Sequence, residues 1–201
     1  MPDLNDLKKI KKSLKRTKIT IKKEDGNIYQ EQLNNNGNYE IIYEKNKWNG
    51  IIIDLKPDLQ LANITENVYL SSQDVAQDLE LLKLNGITHI INVATGVKCL
   101  FPKNIIYLSL TVLDVPTENL KRHFDKSIKF INNAIENNGK VLIHCNAGIS
   151  RSTSIVIAYL IHSKKMTVNQ ALEHIRTQRP IARPNDGFMC QLREYENEIF
   201  K

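Results

Sequence analysis

Cys145 and Arg151, a cysteine and an arginine separated by five residues, mark the segment of this chain that could do chemistry on a phosphate group. They follow an apolar run, 141–143, that predicts a strand, and Arg151 opens a predicted helix. A short loop between a strand and a helix can turn its backbone N–H groups toward one point, where the positive end of the helix dipole also lies. Gly148 would relieve strain in such a loop. The sequence therefore predicts an anion-binding segment, which we call the phosphate loop, made of Asn146, Ala147, Gly148, Ile149, Ser150 and Arg151.

The positive field of this loop would act on the thiol of Cys145. The loop N–H groups, the helix dipole and the guanidinium of Arg151 all favour thiolate over thiol, which makes Cys145 a candidate nucleophile. Arg151 carries a planar fork that can bind two phosphate oxygens at once, which a lysine cannot do. A buried structural cysteine and a surface arginine are the commoner interpretations of either residue alone. The accompanying His144, Gly148 and Ser152, in a strand-to-helix context, favour the catalytic interpretation.

The run from His144 to Ser152 resembles the signature of the cysteine-dependent protein tyrosine phosphatase superfamily, and its form is similar to the dual-specificity branch. The similarity extends from about Gly50 to the end of the chain, and residues 53–60 are most similar to a member that regulates a stress-activated kinase pathway. Further matching runs are Tyr69-Leu70-Ser71-Ser72, Thr88-His89-Ile90-Ile91-Asn92-Val93-Ala94, Ala158-Tyr159-Leu160 and Arg183-Pro184-Asn185 followed by Gly187-Phe188. The resemblance implies hydrolysis of phosphotyrosine and of phosphoserine or phosphothreonine through a phosphocysteine intermediate, with no cofactor or metal.

Cleavage of a phosphate ester also needs a proton for the leaving oxygen, and Asp114 is the candidate donor. Asp114 follows the predicted strand 105–113, where an aspartate is otherwise a common turn residue. The resemblance favours the catalytic role, because the family's acid lies about this far before the cysteine. Glu118 is the second candidate, although an acid at the start of a helix is explained by the helix dipole.

Three further residues are candidates for support of the cysteine. His144 is either a structural histidine or, as the resemblance implies, a residue that helps to set the ionisation of Cys145. The hydroxyl of Ser152 could hydrogen-bond the leaving thiolate, cap the helix, or do both. Asn185 is either a turn residue or, as the resemblance implies, a brace for the loop backbone.

Composition and charge restrict the function classes. The 201 residues are 41% hydrophobic and 25% charged, as in globular proteins, and the longest strongly apolar run, 155–161, is too short to span a bilayer. The N-terminus resembles neither a signal peptide nor a myristoylation site, so we expect a protein of the cytoplasm or nucleus. The three cysteines lack metal-ligand spacing, and we interpret Cys99 and Cys190 as packing residues.

Substrates other than phosphoproteins are disfavoured but stay open. The phosphate loop has no lysine, which argues against phosphoinositides, and it departs from the His-rich, Thr-ended form of RNA triphosphatases, which argues against nucleic acid. A scaffold that binds phosphoproteins with little turnover and a phosphatase of a non-protein ester are the alternatives. Most of the net charge of +6 lies in residues 1–25, which hold nine Lys or Arg against four Asp or Glu. This basic arm is a solvated tail, a membrane or nucleic-acid patch, or a docking segment, and residues 15–21 resemble the docking motif of mitogen-activated kinase partners.

The remaining pattern predicts the elements that must position the site. Residues 1–49 are predicted to be a partly flexible extension, with a short amphipathic helix over 4–14 and an Asn-rich linker over 25–49. Residues 50–201 are predicted to be the catalytic domain. Its strands are predicted at 68–70, 87–94, 105–113 and 141–143, and its helices at 72–85, 120–137, 151–163, 168–178 and 186–200. This order predicts an α/β protein, and the resemblance implies a three-layer fold with a central mixed sheet of about five strands flanked by helices.

Overall fold

The computed structural model describes three strands near the N-terminus and then residues 57–201. The strands β1 (Ile19–Lys22), β2 (Ile28–Leu33) and β3 (Tyr39–Ile42) form an antiparallel sheet in that order. The chain divides into two units, Met1–Ile53 and Asp54–Lys201. The domain boundary at residue 49 stays a prediction, and the helix predicted over 4–14 lies outside the described residues.

The linker predicted over residues 25–49 is wrong for β2 and β3, which lie inside it. Ile28-Tyr29 and Ile41-Ile42 supply the β-branched and aromatic residues that favour strands. Asn36-Gly37 between them is a common hairpin signal. The abundance of asparagine hid these two strand signals.

A five-stranded mixed sheet forms the centre of residues 57–201, as predicted. The strands are β4 (Ala62–Thr65), β5 (Val68–Ser71), β6 (His89–Asn92), β7 (Ile106–Ser109) and β8 (Val141–His144). Their order is β4-β5-β8-β6-β7, with β4 antiparallel to β5 and the other neighbours parallel. The edge strand β4 was not predicted, because it is short and half polar.

Helices cover both faces of this sheet, which confirms the three layers. Alternate strand residues point to opposite faces, so Val141 and Ile143 of β8 pack against one helical layer and Leu142 against the other. In the part of the chain that the structure describes, no helix is long and apolar enough to cross a membrane. The helices are α1 (Gln73–Ala76), α2 (Leu79–Leu84), α3 (Phe124–Glu136, preceded by the 3₁₀ turn Lys121–His123), α4 (Arg151–Lys164), α5 (Val168–Gln178) and α6 (Asp186–Ile199).

The strand predicted over 87–94 is shorter in the structure, His89–Asn92, and two other predicted elements differ more. The helix predicted over 72–85 is two helices, because Asp78 interrupts it and caps α2 by accepting a hydrogen bond from the Leu81 N–H. The strand predicted over 105–113 ends at Ser109. Its partner β6 offers only four paired residues, and the last bridging bond runs from the Leu110 N–H to the Asn92 carbonyl. Asp114 therefore lies in a loop, five residues beyond the strand.

Candidate active site

The phosphate loop leaves the C-terminal end of β8, the central strand of the sheet, and leads directly into α4. Gly148 has a φ of +64°, in the left-handed region that only glycine adopts freely. A Cβ at this position would also overlap the backbone of Ser71, at the end of the neighbouring strand β5. Conformation and packing both require glycine here.

Cys145 precedes this loop and is almost fully buried. Its Sγ accepts two hydrogen bonds, one from the backbone N–H of Gly148 and one from the hydroxyl of Ser152, each at 3.2 Å. Both donors stabilise negative charge on the sulfur. Ser152 lies in the first turn of α4, whose N-cap is Ser150 without a capping side-chain bond. The structure therefore places the Ser152 hydroxyl on the sulfur rather than in a cap.

Arg151 is held in a fixed orientation by two neighbours. One terminal nitrogen donates to Oδ1 of Asn146 at 2.8 Å, and the other donates to the carbonyl of Val112 at 3.3 Å. The Nε atom is buried and makes no hydrogen bond among the described residues. Because a guanidinium carries five N–H donors, three of them make no hydrogen bond to the described residues.

Asp114 is brought to the phosphate loop by contacts with its own neighbours. Its Oδ1 accepts hydrogen bonds from the Ser150 hydroxyl at 2.7 Å and from the Asn185 amide at 2.9 Å. Its Oδ2 lies 3.5 Å from Nε of Arg151. A neutral carboxylic acid has one oxygen that accepts and one that donates. With Oδ1 occupied by two donors, Oδ2 is the oxygen that can carry a proton beside the phosphate-binding arginine.

The predicted nucleophile, anion-binding arginine and acid thus lie together in one site, and comparison with known proteins identifies the family of this chain. Residues 68–198, well over half of the chain, match the family model described as dual specificity phosphatase, catalytic domain. The chain belongs to the dual-specificity phosphatase family. It is therefore a cysteine-dependent protein phosphatase, as its sequence predicts, and its substrates are phosphoproteins.

Individual relatives support the assignment to this family. Dual specificity protein phosphatase 19 of Mus musculus is 44% identical over 147 residues, which cover 73% of this chain and 67% of that protein. A probable dual specificity protein phosphatase of Dictyostelium discoideum is 33% identical, with 99% of each chain covered. The solved structure of the human tyrosine phosphatase-like serine/threonine/tyrosine-interacting protein has a TM-score of 0.69 and 35% identity, and the match covers 70% of this chain and 98% of that chain.

Asn185 joins three parts of this phosphatase site. It caps α6, where its side-chain oxygen accepts from the Phe188 N–H, and its amide donates to Asp114. Its backbone N–H donates to the hydroxyl of Ser150. The brace implied for the loop backbone is therefore made to side chains instead. Glu118, the second candidate acid, pairs with Arg122 and accepts from the Leu113 N–H, so its described contacts are with residues near Asp114 in the chain rather than with Cys145.

The ring of His144 contacts the backbone of Cys145, and the donors to the sulfur are Gly148 and Ser152 instead. Its Nδ1 is 3.3 Å from the carbonyl oxygen of Cys145, and it can only donate to that atom. Burial lowers the pKa of His144 to about 4, so the ring is neutral at pH 7. A neutral ring adds no positive charge near the thiolate, and any influence of His144 on Cys145 passes through the backbone.

The buried neutral ring of His144 should make the fold sensitive to acid. Between its pKa of about 4 in the folded protein and 6.5 for an unperturbed histidine, the unfolded chain binds a proton that the folded chain does not. The free energy of unfolding should be unaffected above about pH 6.5 and should fall by ~3 kcal/mol toward about pH 4. Urea unfolding of wild type and His144→Gln measures this, and the variant should lack that part of the acid sensitivity. An identical loss in both proteins would contradict the assignment.

Arg179, which is not among the predicted site residues, supports the phosphate loop from the side opposite Cys145 Sγ. The side chain is fully buried just after α5 and donates to the carbonyls of Gly148 at 2.8 Å and Ala147 at 2.7 Å. It also pairs with Asp58 and Gln60. In a planar trans peptide the carbonyl and the next N–H point in opposite directions. Arg179 therefore turns the N–H groups of Gly148 and Ile149 away from itself, and the Gly148 N–H reaches the sulfur of Cys145.

Arg179→Met should damage both the fold and catalysis. The substitution leaves two buried loop carbonyls without their donor, at a cost of about 1–3 kcal/mol each, and it frees the peptide groups that are predicted to bind phosphate. We expect a lower free energy of unfolding and at least a tenfold lower kcat/KM under conditions where the variant is still folded. Arg176→Met is the matched control, because Arg176 bonds the Ala182 carbonyl outside the phosphate loop. Full activity of folded Arg179→Met would contradict this role.

No local signal could have indicated Arg179. Its partners in the phosphate loop lie 31 and 32 positions earlier in the chain, and Asp58 lies 121 positions earlier. Only the docking of the segment after α5 beneath the loop brings these residues together.

Proposed function

We propose that this protein removes phosphate from phosphotyrosine and from phosphoserine or phosphothreonine in protein substrates, through a phosphocysteine intermediate. The observation that carries the proposal is the joint placement of Cys145, Arg151 and Asp114. The sulfur is stabilised by two donors, the guanidinium has free N–H groups, and the carboxyl group lies 3.5 Å from that guanidinium.

In the first step the Cys145 thiolate attacks phosphorus, and the bond between phosphorus and the ester oxygen breaks. Arg151 and the loop N–H groups bind the three non-bridging oxygens as charge develops on them. The proton on Oδ2 of Asp114 passes to the leaving oxygen, which departs as a neutral hydroxyl group. The products are phosphocysteine, the Asp114 carboxylate and the dephosphorylated side chain.

In the second step water attacks the phosphocysteine, and the Asp114 carboxylate accepts the proton that water loses. The sulfur–phosphorus bond breaks and inorganic phosphate is released. The sulfur leaves as a thiolate, which the Ser152 hydroxyl and the Gly148 N–H stabilise. Both the thiolate and the protonated Asp114 are thereby restored.

The surroundings of the site support a shallow pocket that is open to more than one phosphoamino acid. The side chain of Asp114 is 35% exposed, so the proton donor lies near the surface. Leu113 and Val115, which flank it, are exposed apolar side chains that an aromatic ring could contact, while a short seryl or threonyl side chain could also reach an acid at this depth.

The first experiment is turnover of para-nitrophenyl phosphate from about pH 5 to about pH 8 in the presence of a chelator, followed by phosphotyrosine and phosphothreonine peptides. Turnover of both peptide types supports the proposal. Binding of the peptides without turnover would favour the phosphoprotein scaffold. Turnover of the small ester alone would favour a non-protein substrate.

We further propose that the phosphoprotein is a mitogen-activated protein kinase or another component of its pathway, met in the cytoplasm or nucleus. The support is the basic arm, whose residues 15–21 combine Lys15, Arg16 and Lys18 with alternating Ile19 and Ile21. Complementary charge would bring an acidic docking groove to this arm and raise the rate of association.

Reversing charge within the arm tests the kinase proposal. Lys15→Glu with Arg16→Glu should weaken kinase binding in a titration at moderate salt and leave turnover of para-nitrophenyl phosphate unchanged. Lys8→Glu with Lys9→Glu makes the same charge change outside the motif and is the control. An equal loss in both double variants would indicate general charge attraction instead of docking. A fluorescent fusion in cells would test the expected location.

A further inference from the structure

A groove of about 460 Å³ lies beside the phosphate loop and has no part in the two chemical steps. It shares Asn146 with the phosphate loop, so the two are continuous. One wall is the start of the helical segment after β5, and the other is the loop that follows β6. We call this cavity the flanking groove, and its lining residues are Gln73, Gln77, Thr95, Gly96, Val97, Lys98, Leu100 and Asn146.

The first wall of the flanking groove is tied to the phosphate loop. The backbone N–H of Gln73 donates to the carbonyl of Asn146 at 3.0 Å. The amide of Asn146 donates in return to the side-chain oxygen of Gln73 at 3.2 Å. The same Asn146 accepts a hydrogen bond from Arg151. This wall therefore has a fixed position relative to the arginine that binds phosphate.

The second wall is held just as firmly. The side-chain amide of Asn92 donates to the carbonyl of Val97 at 2.8 Å. The Thr95 hydroxyl donates to the carbonyl of Val112 at 2.7 Å, and this carbonyl also accepts from Arg151. Both walls are thus connected to Arg151 by hydrogen bonds, one through Asn146 and the other through the Val112 carbonyl. The groove is therefore formed without a bound substrate.

The lining of the groove is suited to an anion. Lys98 is its only charged residue, and the other polar groups are amides and a hydroxyl. Lys98 is exposed, and within residues 57–201 its ammonium has no hydrogen-bond or ion-pair partner. Consecutive residues of an extended peptide advance by about 3.3 Å, so a neighbour of the phosphorylated residue can lie in a groove that begins at the phosphate loop.

We propose that the flanking groove is a substrate subsite that takes an anionic side chain, one or two residues from the phosphorylated residue, through Lys98. Either a carboxylate or a second phosphate has the required charge. This inference rests on the proposed function, because the groove acts only on a peptide that is bound at Cys145. It makes Lys98 a specificity residue rather than a catalytic one.

Three phosphotyrosine peptides that differ only in the flanking positions test the subsite: a neutral peptide, one with glutamate and one with phosphothreonine. For the wild-type protein we expect kcat/KM to be about threefold to tenfold higher for the anionic peptides, mainly through a lower KM. The preference should shrink in added salt. The anionic peptide with the larger increase in kcat/KM shows whether the subsite prefers a carboxylate or a phosphate.

Lys98→Met should abolish this preference and Lys98→Glu should reverse it, with turnover of para-nitrophenyl phosphate unchanged. Lys103→Met is the matched control, since Lys103 is exposed nearby in sequence but does not line the groove, and it should keep the preference. A preference that survives in Lys98→Met, or that Lys103→Met removes equally, would overturn the proposal. If the wild type hydrolyses para-nitrophenyl phosphate but shows no preference among the three peptides, only the subsite is refuted. If the wild type does not hydrolyse para-nitrophenyl phosphate at all, the proposed function is refuted.

Discussion

Cys145→Ser should reduce kcat by a factor on the order of 10⁵ to 10⁶, the scale on which loss of a covalent nucleophile acts in other enzymes. A serine hydroxyl is not ionised at neutral pH, so the attacking group is lost. Arg151 and the backbone N–H groups of the phosphate loop are unchanged, and they still bind the phosphate of a substrate. We therefore expect a phosphopeptide to bind the variant with a Kd within a few-fold of that for the wild type.

The measurements are turnover of para-nitrophenyl phosphate and anisotropy of a labelled phosphopeptide. Cys190→Ser is the matched control, because Cys190 is an exposed cysteine on α6, and its interpretation as a packing residue is therefore wrong. It should keep its activity within about twofold of the wild type. Residual turnover of a few per cent in Cys145→Ser, after contaminating phosphatase has been excluded, would show that the thiolate is not the nucleophile.

Asp114→Asn should lower kcat by about 10² to 10⁴, the usual contribution of general acid–base catalysis. The asparagine oxygen can still accept from Ser150 and Asn185, so the side chain should keep its place, but the proton on the second oxygen is lost. The effect should grow with the basicity of the leaving oxygen. A nitrophenolate leaves readily without a proton. A tyrosyl oxygen depends more strongly on protonation, and a seryl or threonyl oxygen depends on it most strongly.

Initial rates on para-nitrophenyl phosphate, a phosphotyrosine peptide and a phosphothreonine peptide measure this dependence. Glu118→Gln is the control, since the carboxylate of Glu118 pairs with Arg122, and it should change none of the three rates by more than a few-fold. An equal loss on all three substrates in Asp114→Asn would mean that Asp114 positions the loop but does not deliver the proton. A loss that grows with leaving-group basicity in Glu118→Gln would move the acid to Glu118.

The elements that carry the nucleophile could be predicted because their signals are contiguous. The apolar strand before Cys145 and the helix from Arg151 occur as expected, and the predicted helix over 168–178 is α5. The strand after residue 105 was predicted too long. An apolar run shows that a segment is buried, whereas the end of a strand depends on where its partner stops, and β6 stops after four paired residues.

The sequence by itself determined the chemistry of this protein, since Cys145, Arg151 and the loop between them are close in the chain and backbone geometry alone makes them neighbours in space. The tertiary structure decided how the site is completed. Asp114 reaches the loop through Ser150 and Asn185, which are 36 and 71 positions away, and Arg179 supports the loop through contacts of similar span. The flanking groove joins the segment after β5 to the loop after β6. Such contacts arise from the packing of helices on a sheet, and the spacing of residues within a short segment does not predict them.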